Sequence, residues 1–329
     1  MSGKMRAVVI REPGEPEVLE LVAVQRPEPG PGEVRVRVAS SGLNRADLLQ
    51  RRGRYPVPPG YPKDIPGLEL AGNVDALGEG VTAWAVGDAV MGILGGGGYA
   101  EYALSPASTL VPVPDGMDPV VAGAVPEVFM TAFDAAFVQE GLVAGETMLV
   151  HAVGSGVGTA AVQLALRAGA NVIGTSRTPA KLDRAREVGL EHAVLADDHW
   201  PERVQELTGG RGVDVILDLV GGPYLEGNQR VIGERGRHIV VGVPGGSEAT
   251  LSLRLLMGRR ASIRGTVLRA RPLPEKEALA SAFAEQVLPG FAAGDLRPVI
   301  DRTFAAAEAA AAHQYMEQNK NFGKILLEW

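Results

Sequence analysis

One segment, residues 148–170, constrains the fold of this chain more than any other. It reads MLVHAVGSGVG followed by TAAVQLALRAGA: an apolar, β-branched run, a glycine-rich turn, and then a run of helix-forming residues. Small residues in such a turn let the backbone approach a pyrophosphate, and the N-terminus of the following helix directs free N–H groups at the negative charge. The layout predicts a dinucleotide site that includes Gly154, Ser155, Gly156, Val157 and Gly158.

The glycine spacing departs from the usual G-x-G-x-x-G template. Aligned on Gly158, the first two glycine positions of the template fall on Val153 and Ser155, and the chain's own glycines lie one position away. The prediction therefore depends on context. Residues 171–175 follow the predicted helix with a second strand pattern, which completes a strand–helix–strand unit of about 30 residues.

Strand and helix patterns continue to alternate after this unit. Further strands are predicted over residues 191–195, 213–219, 238–243 and 262–268, and helices over residues 180–188, 200–207 and 224–232. Alternation of this kind is typical of an α/β domain with a parallel sheet covered on both faces. The alternative is a domain of the same architecture whose glycine loop binds nothing.

The first third of the chain shows short strands with alternating polarity. Val34, Val36 and Val38 alternate with two arginines, which gives residues 33–39 one dry face. Strands are also predicted over residues 5–11, 18–24, 68–77, 88–93 and 99–104, and helices over residues 44–52, 119–139, 275–290 and 305–319. Together with a last strand over residues 322–327, these patterns predict an antiparallel, barrel-like domain to which the tail returns.

Two domains follow from this organisation. Residues 1–128 and 269–329 are assigned to the barrel-like domain, which is expected to contribute the catalytic and substrate-binding groups, and residues 129–268 to the nucleotide-binding domain. A chain of 329 residues is long enough for both.

Charge and composition exclude several classes of function. The net charge of −7 and the lack of a long basic run argue against a nucleic-acid partner. The chain has no cysteine, so disulfides, a thiolate nucleophile and cysteine-ligated zinc are all excluded. The five histidines are scattered, and no metal site is expected. No signal-peptide or membrane-spanning pattern is present, so no membrane partner and a cytoplasmic location are expected.

Several motifs in shared order resemble those of a known family. They are GLNRADLLQRRGRY at 42–55, PGLELAG at 66–72, VGDAV at 86–90, GGGGYAEY at 95–102, the glycine loop, and YMEQNKNFGKI at 315–325. The chain resembles the medium-chain dehydrogenase/reductase superfamily and, within it, the zinc-free quinone oxidoreductases related to zeta-crystallin, especially the stress-induced animal branch. The resemblance implies a GroES-like β-barrel joined to a Rossmann domain, with the active site in the cleft between them.

The resemblance also bears on chemistry, because zinc-dependent relatives carry a cysteine ligand where this chain has Asn44. Without that metal, a nicotinamide still transfers hydride to a good acceptor such as a quinone or an α,β-unsaturated carbonyl compound. Alcohol oxidation, in contrast, needs a base or a metal to take the hydroxyl proton. The expected function is NADPH-dependent, metal-free reduction of quinones, with ortho-quinones as the expected class. An enoyl or 2-alkenal reductase, and a non-catalytic NADPH-binding sensor or structural protein, are the alternatives.

Four residues are candidates for contact with the substrate or the nicotinamide. Tyr55, Asn44 and Ser155 are the candidates for a catalytic polar group near the carbonyl oxygen. The resemblance places Tyr55 and Ser155 at the cleft, and Thr131 and Tyr55 beside the nicotinamide. Each residue also has a structural interpretation: Tyr55 closing a turn, Asn44 capping a helix, Ser155 fitting a tight loop, and Thr131 packing in a helix.

The cofactor preference can be argued from the end of the second nucleotide-domain strand. NAD sites usually carry Asp or Glu about 20 residues after the glycine loop, but residues 174–181 read GTSRTPAK. Ser176 takes the acidic position, and Arg177 and Lys181 follow it, a set that suits the 2′-phosphate of NADPH. Gly174 lies in the same segment. The alternatives are a solvated helix start and an inward-pointing Asp197 that weakens phosphate binding.

Strand ends and the C-terminal region supply the remaining predictions. Ligands bind at the carboxyl ends of the strands in such sheets, which nominates as cofactor contacts Gly221, Gly222, Gly242, Val243, Thr266, Val267 and Leu268. The resemblance adds Asn319, which alternatively caps a helix. It also implies a homodimer formed by edge-to-edge pairing of residues 261–268.

Overall fold

The computed structural model describes residues 3–329, which divide into two compact units. The first unit comprises the chain up to Met130 together with Leu268–Trp329, and the second unit is Thr131–Val267. Because the first unit is assembled from both ends of the sequence, its core depends on contacts between residues that are far apart along the chain.

The described elements alternate as follows. The strands are β1 (Lys4–Ile10), β2 (Leu19–Gln25), β3 (Glu33–Gly42), β4 (Glu69–Leu77), β5 (Ala89–Ile93), β6 (Tyr102–Pro106), β7 (Leu110–Pro112), β8 (Thr147–Val150), β9 (Asn171–Ser176), β10 (His192–Leu195), β11 (Val213–Asp218), β12 (Ile232–Val240), β13 (Ser262–Gly265), β14 (Ile300–Ala305) and β15 (Lys324–Glu328). The α-helices are α1 (Arg45–Arg51), α2 (Pro119–Ala122), α3 (Pro126–Phe133), α4 (Gly156–Arg167), α5 (Pro179–Arg186), α6 (Trp200–Leu207), α7 (Leu225–Val231), α8 (Leu253–Arg259), α9 (Leu273–Gln286), α10 (Leu288–Ala292) and α11 (Ala309–Glu317).

The first unit contains a mainly antiparallel sheet of seven strands. Its order is β14-β15-β3-β4-β5-β7, β6 also pairs with β3, and β14 and β15 are the parallel neighbours. The valines that alternate along β3 are buried with Leu70 of β4 and Val90 of β5, as their spacing predicts. The last strand, β15, pairs antiparallel with β3 over Leu326–Glu328. The tail therefore completes the sheet that the N-terminal region begins.

The second unit contains one parallel sheet of six strands. Its order is β10-β9-β8-β11-β12-β13, and every neighbouring pair is parallel. This is the doubly wound Rossmann order, in which the chain reverses direction across the sheet between the first and fourth strands, here β8 and β11. Ligands of such sheets bind at that reversal, outside the carboxyl ends of the strands, so the order directs attention to the loop that follows β8.

Several predicted boundaries were wrong. The long helix predicted over residues 119–139 is divided into α2, α3 and a π-helical segment, Asp134–Gln139. Pro126 disfavours helical backbone at the residue before it, and Gly123 lies so close to Ser40 that a Cβ would approach the serine Oγ to 2.0 Å. The strand predicted over residues 262–268 ends at Gly265, and β7, β14 and α8 were not predicted.

Residues 3–329 include no helix with the length and apolar character that a bilayer crossing requires.

Candidate functional site

In the second unit, the loop between β8 and α4 has the geometry of a phosphate-binding turn. Ala152 has a φ of 49°, a left-handed conformation that turns the chain sharply out of β8. Ser155 is the N-cap of α4, and its Oγ accepts a hydrogen bond of 3.0 Å from the N–H of Gly158. The N–H groups of Gly156 and Val157 have no acceptor within the described chain, and both residues are partly exposed. Two free donors at a helix N-terminus fit an anionic group.

Close packing explains why glycine is needed at the end of this loop. A Cβ on Gly158 would lie 2.7 Å from the carbonyl oxygens of both Ala152 and Val153. Gly174 in β9 is equally restricted, because a Cβ there would lie 2.7 Å from Leu190 and 2.9 Å from Val153. Gly154 is buried in the same turn. These glycines allow α4 to lie against the strands and so place its N-terminus at the sheet edge.

The residues predicted to select the cofactor lie at the end of β9. The Ser176 Oγ accepts the N–H of Thr178 at 3.1 Å, so this hydroxyl is already used in a local turn. Arg177 is exposed, and Lys181 is half-buried in the first part of α5. Asp197, the carboxylate that would oppose a phosphate, is ion-paired with Arg203 at 2.5 Å, and that hydrogen bond lowers the pKa of Asp197.

Asp218 at the end of β11 accepts hydrogen bonds from backbone N–H groups of the loop that follows. Its Oδ1 accepts the N–H groups of Val220 and Gly221, each at 2.8 Å, while the N–H of Gly222 is bound to the carbonyl of Gly246 at 2.9 Å. Gly221 has a φ of 86°, which favours glycine. The two glycines thus shape the loop with engaged N–H groups, and their role as cofactor contacts stays a prediction.

The remaining predicted cofactor contacts of the second unit lie along its last strands. Gly242 is half-buried and Val243 exposed. Thr266 donates its N–H to the carbonyl of Val240 at 3.0 Å, and its Oγ1 accepts from Gln139 at 2.7 Å, while Val267 is exposed. For these residues, as for the buried Thr131, the cofactor role stays a prediction.

His151 is part of the core of the second unit. It is fully buried, with its ring nitrogens hydrogen-bonded to Thr175 Oγ1 at 2.8 Å and to Asn228 Oδ1 at 2.7 Å. Burial lowers the pKa of His151 to about 4, so the ring is neutral at physiological pH. Its role beside the glycine loop is structural.

In the first unit, Asn44 is the N-cap residue of α1, but its side chain does not cap the helix. Its Nδ2 donates to Glu69 Oε1 at 2.9 Å and to the carbonyl of Gly42 at 3.2 Å, and its Oδ1 accepts from Lys324 Nζ at 2.9 Å. Asp47 instead completes the helix start, because its carboxylate accepts the N–H of Asn44 at 2.8 Å. The Asn44 amide therefore binds charged neighbours and makes no capping hydrogen bond to the helix.

A buried ion pair forms the centre of that cluster. Lys324 Nζ lies 2.6 Å from Glu69 Oε1, and both side chains are almost completely excluded from solvent. Within the described residues, no group of three or more His, Cys, Asp or Glu is arranged to hold a metal ion. Asn44 lies directly against the Lys324 ammonium, which would repel a cation. The donor set does not fit zinc.

Asp47 extends the network into the core. Burial raises the pKa of Asp47 to about 6, against the opposing effect of the N–H groups of Asn44 and Gly67 and the charge of Lys324. Its Oδ2 accepts from Tyr99 Oη at 3.2 Å, and Tyr99 in turn contacts His313 Nε2 at 3.3 Å. These contacts connect α1 to Tyr99, in the segment before β6, and to His313 of α11.

Tyr55 lies half-buried beside a buried cation. The guanidinium of Arg269 is 4.8 Å from the centre of the Tyr55 ring, and no described residue is hydrogen-bonded to the phenol oxygen. Burial, with a smaller contribution from the charge of Glu127, raises the pKa of Tyr55. The phenol is thus neutral at physiological pH and keeps its O–H available as a donor.

Arg269 is held in place from two sides. Its Nε donates to the carbonyl of Gly95 at 2.8 Å, and its Nη2 donates to Gln50 Oε1 at 2.6 Å, while Nη1 is buried without a partner. Its backbone carbonyl accepts from Lys276 Nζ at 2.8 Å, so two buried cations adjoin each other. Leu268, predicted as a cofactor contact, is buried immediately before Arg269.

Asn319 shows the geometry of a helix end. It follows α11 with a φ of 54°, the left-handed conformation common just after a helix, and its N–H donates to the carbonyl of Met316 at 3.0 Å. Its Oδ1 accepts from Arg45. The capping interpretation accounts for these contacts, and the cofactor role stays a prediction.

Sequence reasoning did not single out the charged residues of the first-unit cluster. They are Asp47, Glu69, Glu127, Arg269, Lys276 and Lys324. Three of them lie inside the motifs that carry the family resemblance: Asp47 in GLNRADLLQRRGRY, Glu69 in PGLELAG and Lys324 in YMEQNKNFGKI. A usable signal was a lone charge in an apolar segment: Glu127 stands alone between residues 119 and 133.

Comparison with known families agrees with the division of the fold. Residues 30–115 match the alcohol dehydrogenase GroES-like domain family, and residues 156–285 match the zinc-binding dehydrogenase family. The chain is 36% identical over 323 residues to a quinone oxidoreductase of Pseudomonas aeruginosa, covering 95% of this chain and 96% of that protein. The GroES-like and Rossmann architecture predicted from the sequence is confirmed.

Solved structures of oxidoreductases are similar over nearly the whole chain. An NAD-dependent alcohol dehydrogenase has a TM-score of 0.89 at 35% identity and covers 99% of this chain and all of that one. The CurK enoyl reductase has a TM-score of 0.88 at 28% identity, with 99% of both chains covered. The mycobacterial protein Rv1454c, solved in complex with NADPH, has a TM-score of 0.88 at 28% identity and covers 99% of this chain and all of that one.

The buried ion pair predicts a strongly asymmetric response to mutation. Lys324→Met should lower the free energy of unfolding by about 3–5 kcal/mol, because it leaves the Glu69 carboxylate buried without a counter-charge. The double variant Glu69→Gln/Lys324→Met should recover most of this loss, as measured by urea unfolding at pH 7. As a control, Arg11→Met, which breaks an exposed pair with Glu20, should have little effect. Equal losses for Lys324→Met and Arg11→Met would contradict the prediction.

Proposed function

This chain is a member of the medium-chain dehydrogenase/reductase superfamily of oxidoreductases, and we propose that within it the protein reduces quinones with NADPH. The name of the Pseudomonas aeruginosa relative supports the substrate class, and the NADPH complex of the similar protein Rv1454c supports the cofactor. When bound, the dihydronicotinamide supplies a hydride. The chain's own residues bind and orient the two reactants and donate hydrogen bonds and a proton.

The observation that carries this proposal is the engagement of Asn44 by Glu69 and Lys324. Metal-assisted alcohol oxidation needs a metal site that takes up the alcohol oxygen as hydride leaves. At this position the chain provides instead an ammonium group and an amide whose oxygen and nitrogen are both bonded. In reduction, the carbonyl oxygen gains negative charge and needs hydrogen-bond donors. Tyr55, with an unpartnered phenol beside Arg269, is such a donor, and we propose that it contacts the substrate.

The positive charge at the end of β9 favours NADPH over NADH. Arg177 and Lys181 follow Ser176 there, and the nearby acid Asp197 is neutralised by Arg203. The other predicted cofactor contacts are retained as part of the proposal, with the glycine loop and the N–H groups of Gly156 and Val157 for the pyrophosphate. One of the similar structures is an NAD-dependent alcohol dehydrogenase, so kinetics with NADPH and NADH side by side test this preference.

Reduction of α,β-unsaturated carbonyl compounds is the second candidate function. It is supported by the similarity to CurK, an enoyl reductase, over 99% of both chains. The same groups serve both reactions, because an enone also places growing negative charge on a carbonyl oxygen. Only the shape of the substrate pocket would separate the two classes.

A parallel assay tests the proposed reaction. We expect the purified protein to oxidise NADPH in the presence of an ortho-quinone faster than with a para-quinone, an enone or crotonyl-CoA, followed as loss of dihydronicotinamide absorbance. A higher kcat/KM with the enone or the thioester would favour the second candidate. NADPH binding in a fluorescence titration, without turnover of any of the four acceptors, would contradict both and favour a sensor or structural role.

Arg177 offers a direct test of cofactor selection. Arg177→Ala should raise the KM for NADPH by about 10-fold or more and leave the KM for NADH nearly unchanged, because a charge-assisted hydrogen bond to the 2′-phosphate contributes about 1.5–3 kcal/mol. Initial-rate kinetics with each cofactor measure the ratio. Arg186→Ala, at the other end of α5 where the arginine pairs with Asp183, is the matched control. Equal changes for both cofactors would reject a phosphate contact.

We further propose that the protein forms a homodimer through the β13 edge of the second-unit sheet. β13 ends the strand order, and a strand at an edge presents unpaired backbone groups that invite pairing. The adjacent α8 exposes large apolar side chains, with Leu253 at 64% and Met257 at 75% exposure. Scattered single residues of this kind are ordinary, but a set on one helix beside an open strand indicates an interface.

Charge introduced on α8 should separate the protomers. The double variant Leu253→Glu/Met257→Lys should shift the mass measured by light scattering from that of a dimer to that of a monomer, because charges at the core of an interface lose their hydration. Leu207→Lys, at an exposed apolar position on α6, should leave the mass unchanged. A wild type that is monomeric at micromolar concentration would contradict the proposal.

A further inference from the structure

Glu127 is a carboxyl group that the fold places among charges without giving it a hydrogen-bond donor. It is the second residue of α3 and is half-buried. Its backbone N–H donates to Glu69 Oε2 at 2.7 Å, yet nothing in residues 3–329 donates to its own carboxyl oxygens. A carboxylate in such a position would lack the partners that stabilise a buried negative charge.

The charges around Glu127 favour its neutral form. Burial, followed by the negative charge of Glu69, raises the pKa of Glu127 to about 8, so the group is protonated at neutral pH. Six charged or titratable groups interact electrostatically with Glu127. They are Glu69 of β4, Asp47 of α1, Lys324 of β15, Arg269, Lys276 of α9 and Tyr55. The cations oppose the shift without reversing it.

Glu127 is also joined to the residues proposed to meet the substrate. Glu69 binds the Glu127 N–H through one carboxylate oxygen and the Asn44 amide through the other. Tyr55 is influenced by the charge of Glu127, and Arg269, which stacks on Tyr55, is 5% exposed and has an unpartnered Nη1. The cluster therefore combines hydrogen-bond donors for a carbonyl oxygen with a neutral acid.

We propose that Glu127 is the acid that supplies the proton accompanying hydride transfer, a role that rests on the proposed reductase function. The O–H bond of the carboxyl breaks, and its electron pair stays on the carboxylate. The proton forms an O–H bond on the reduced quinone, or a C–H bond at the α-carbon of a reduced enone. Two electrons and the other hydrogen would come as hydride from a bound dihydronicotinamide, and water returns the proton to Glu127.

Tyr55 is a second acidic group of this cluster that, like Glu127 and unlike Asp47, is only half-buried. General acids work best when their pKa lies near the working pH. The phenol of Tyr55 has a pKa above its ordinary value of 10.0, whereas the pKa of Glu127 is about 8. The phenol is thus the better permanent hydrogen-bond donor, and the carboxyl is the better source of a proton that must leave.

Kinetics of three variants test this assignment. With an enone and NADPH at pH 7, Glu127→Gln should lower kcat by about 100-fold or more, the usual contribution of a general acid, while Glu127→Asp should retain part of the rate. The wild-type kcat should fall above pH of about 8, and Glu127→Gln should lack this fall. Glu275→Gln, on the exposed first turn of α9, is the control and should match the wild type.

Thermal unfolding without cofactor or substrate gives a second readout. The carboxyl has a reference pKa of 4.5 and a pKa of about 8 in the folded protein. Because the unfolded chain loses this proton first, wild-type stability falls as pH rises between these values. The amide of Glu127→Gln does not ionise. The Tm of the variant minus the Tm of the wild type should therefore increase from pH 5 to pH 9, and the same difference for Glu275→Gln should stay constant.

The outcomes separate the possible failures. An unchanged kcat in Glu127→Gln, or a reduced kcat that keeps the wild-type pH profile, overturns the role as proton donor. A Tm difference that does not vary with pH overturns the neutral carboxyl on which the role depends. A wild type that reduces none of the quinones or enones overturns the proposed function and the proton transfer with it, and the Tm series then reports separately on the protonation of Glu127.

Discussion

The first unit depends on one buried ion pair, Glu69 with Lys324. Removing two charges from water is costly, and the pair is tolerable only if the remaining donors and acceptors are satisfied. Here the ammonium donates to Glu69, to Asn44 and to the carbonyl of Leu43, at 2.6, 2.9 and 2.7 Å. The carboxylate also accepts from Asn44 and from the N–H of Glu127. The pair thereby joins β4, β15, α1 and α3.

The same pair defines what chemistry the cluster supports. It holds the Asn44 amide beside an ammonium group, and it brings a second carboxyl, Glu127, near the negative charge of Glu69. The Glu69–Lys324 pair therefore accounts both for the poor fit of the Asn44 site to a metal cation and for the protonation of Glu127 at neutral pH. The medium-chain dehydrogenase/reductase scaffold is retained while the polar groups at this position differ from a zinc ligand set.

The sequence predicts the second unit better than the first because its signals are local. The glycine loop, the helix after it and the alternation of strands all lie within short windows, and they predict the parallel sheet that the structure shows. The elements that were missed are short or depend on distant partners: β7 has three residues, and β14 is defined by its pairing with β15. The break before Pro126 was readable from the proline and from Gly123.

The candidate site divides in the same way. Local sequence identified Ser155 and the glycines of the loop after β8, and the structure shows that the Ser155 oxygen accepts the Gly158 N–H. In the loop after β11, the N–H groups of the predicted Gly221 and Gly222 are already hydrogen-bonded within the chain. Local sequence could not pair Glu69 with Lys324, because 255 residues separate them. No spacing rule reaches across such a distance, and only a lone charge in an apolar segment hints that a partner exists.

The placement of β15 in the first-unit sheet has a consequence for biosynthesis. A ribosome releases Glu69, β3 and β4 long before it releases Lys324, and the whole of the second unit emerges in between. Domains generally fold as they appear, so the Rossmann sheet can mature while the barrel still lacks its final strand. Until translation passes Lys324, the nascent barrel carries the Glu69 carboxylate without the ammonium group that pairs with it in the folded protein.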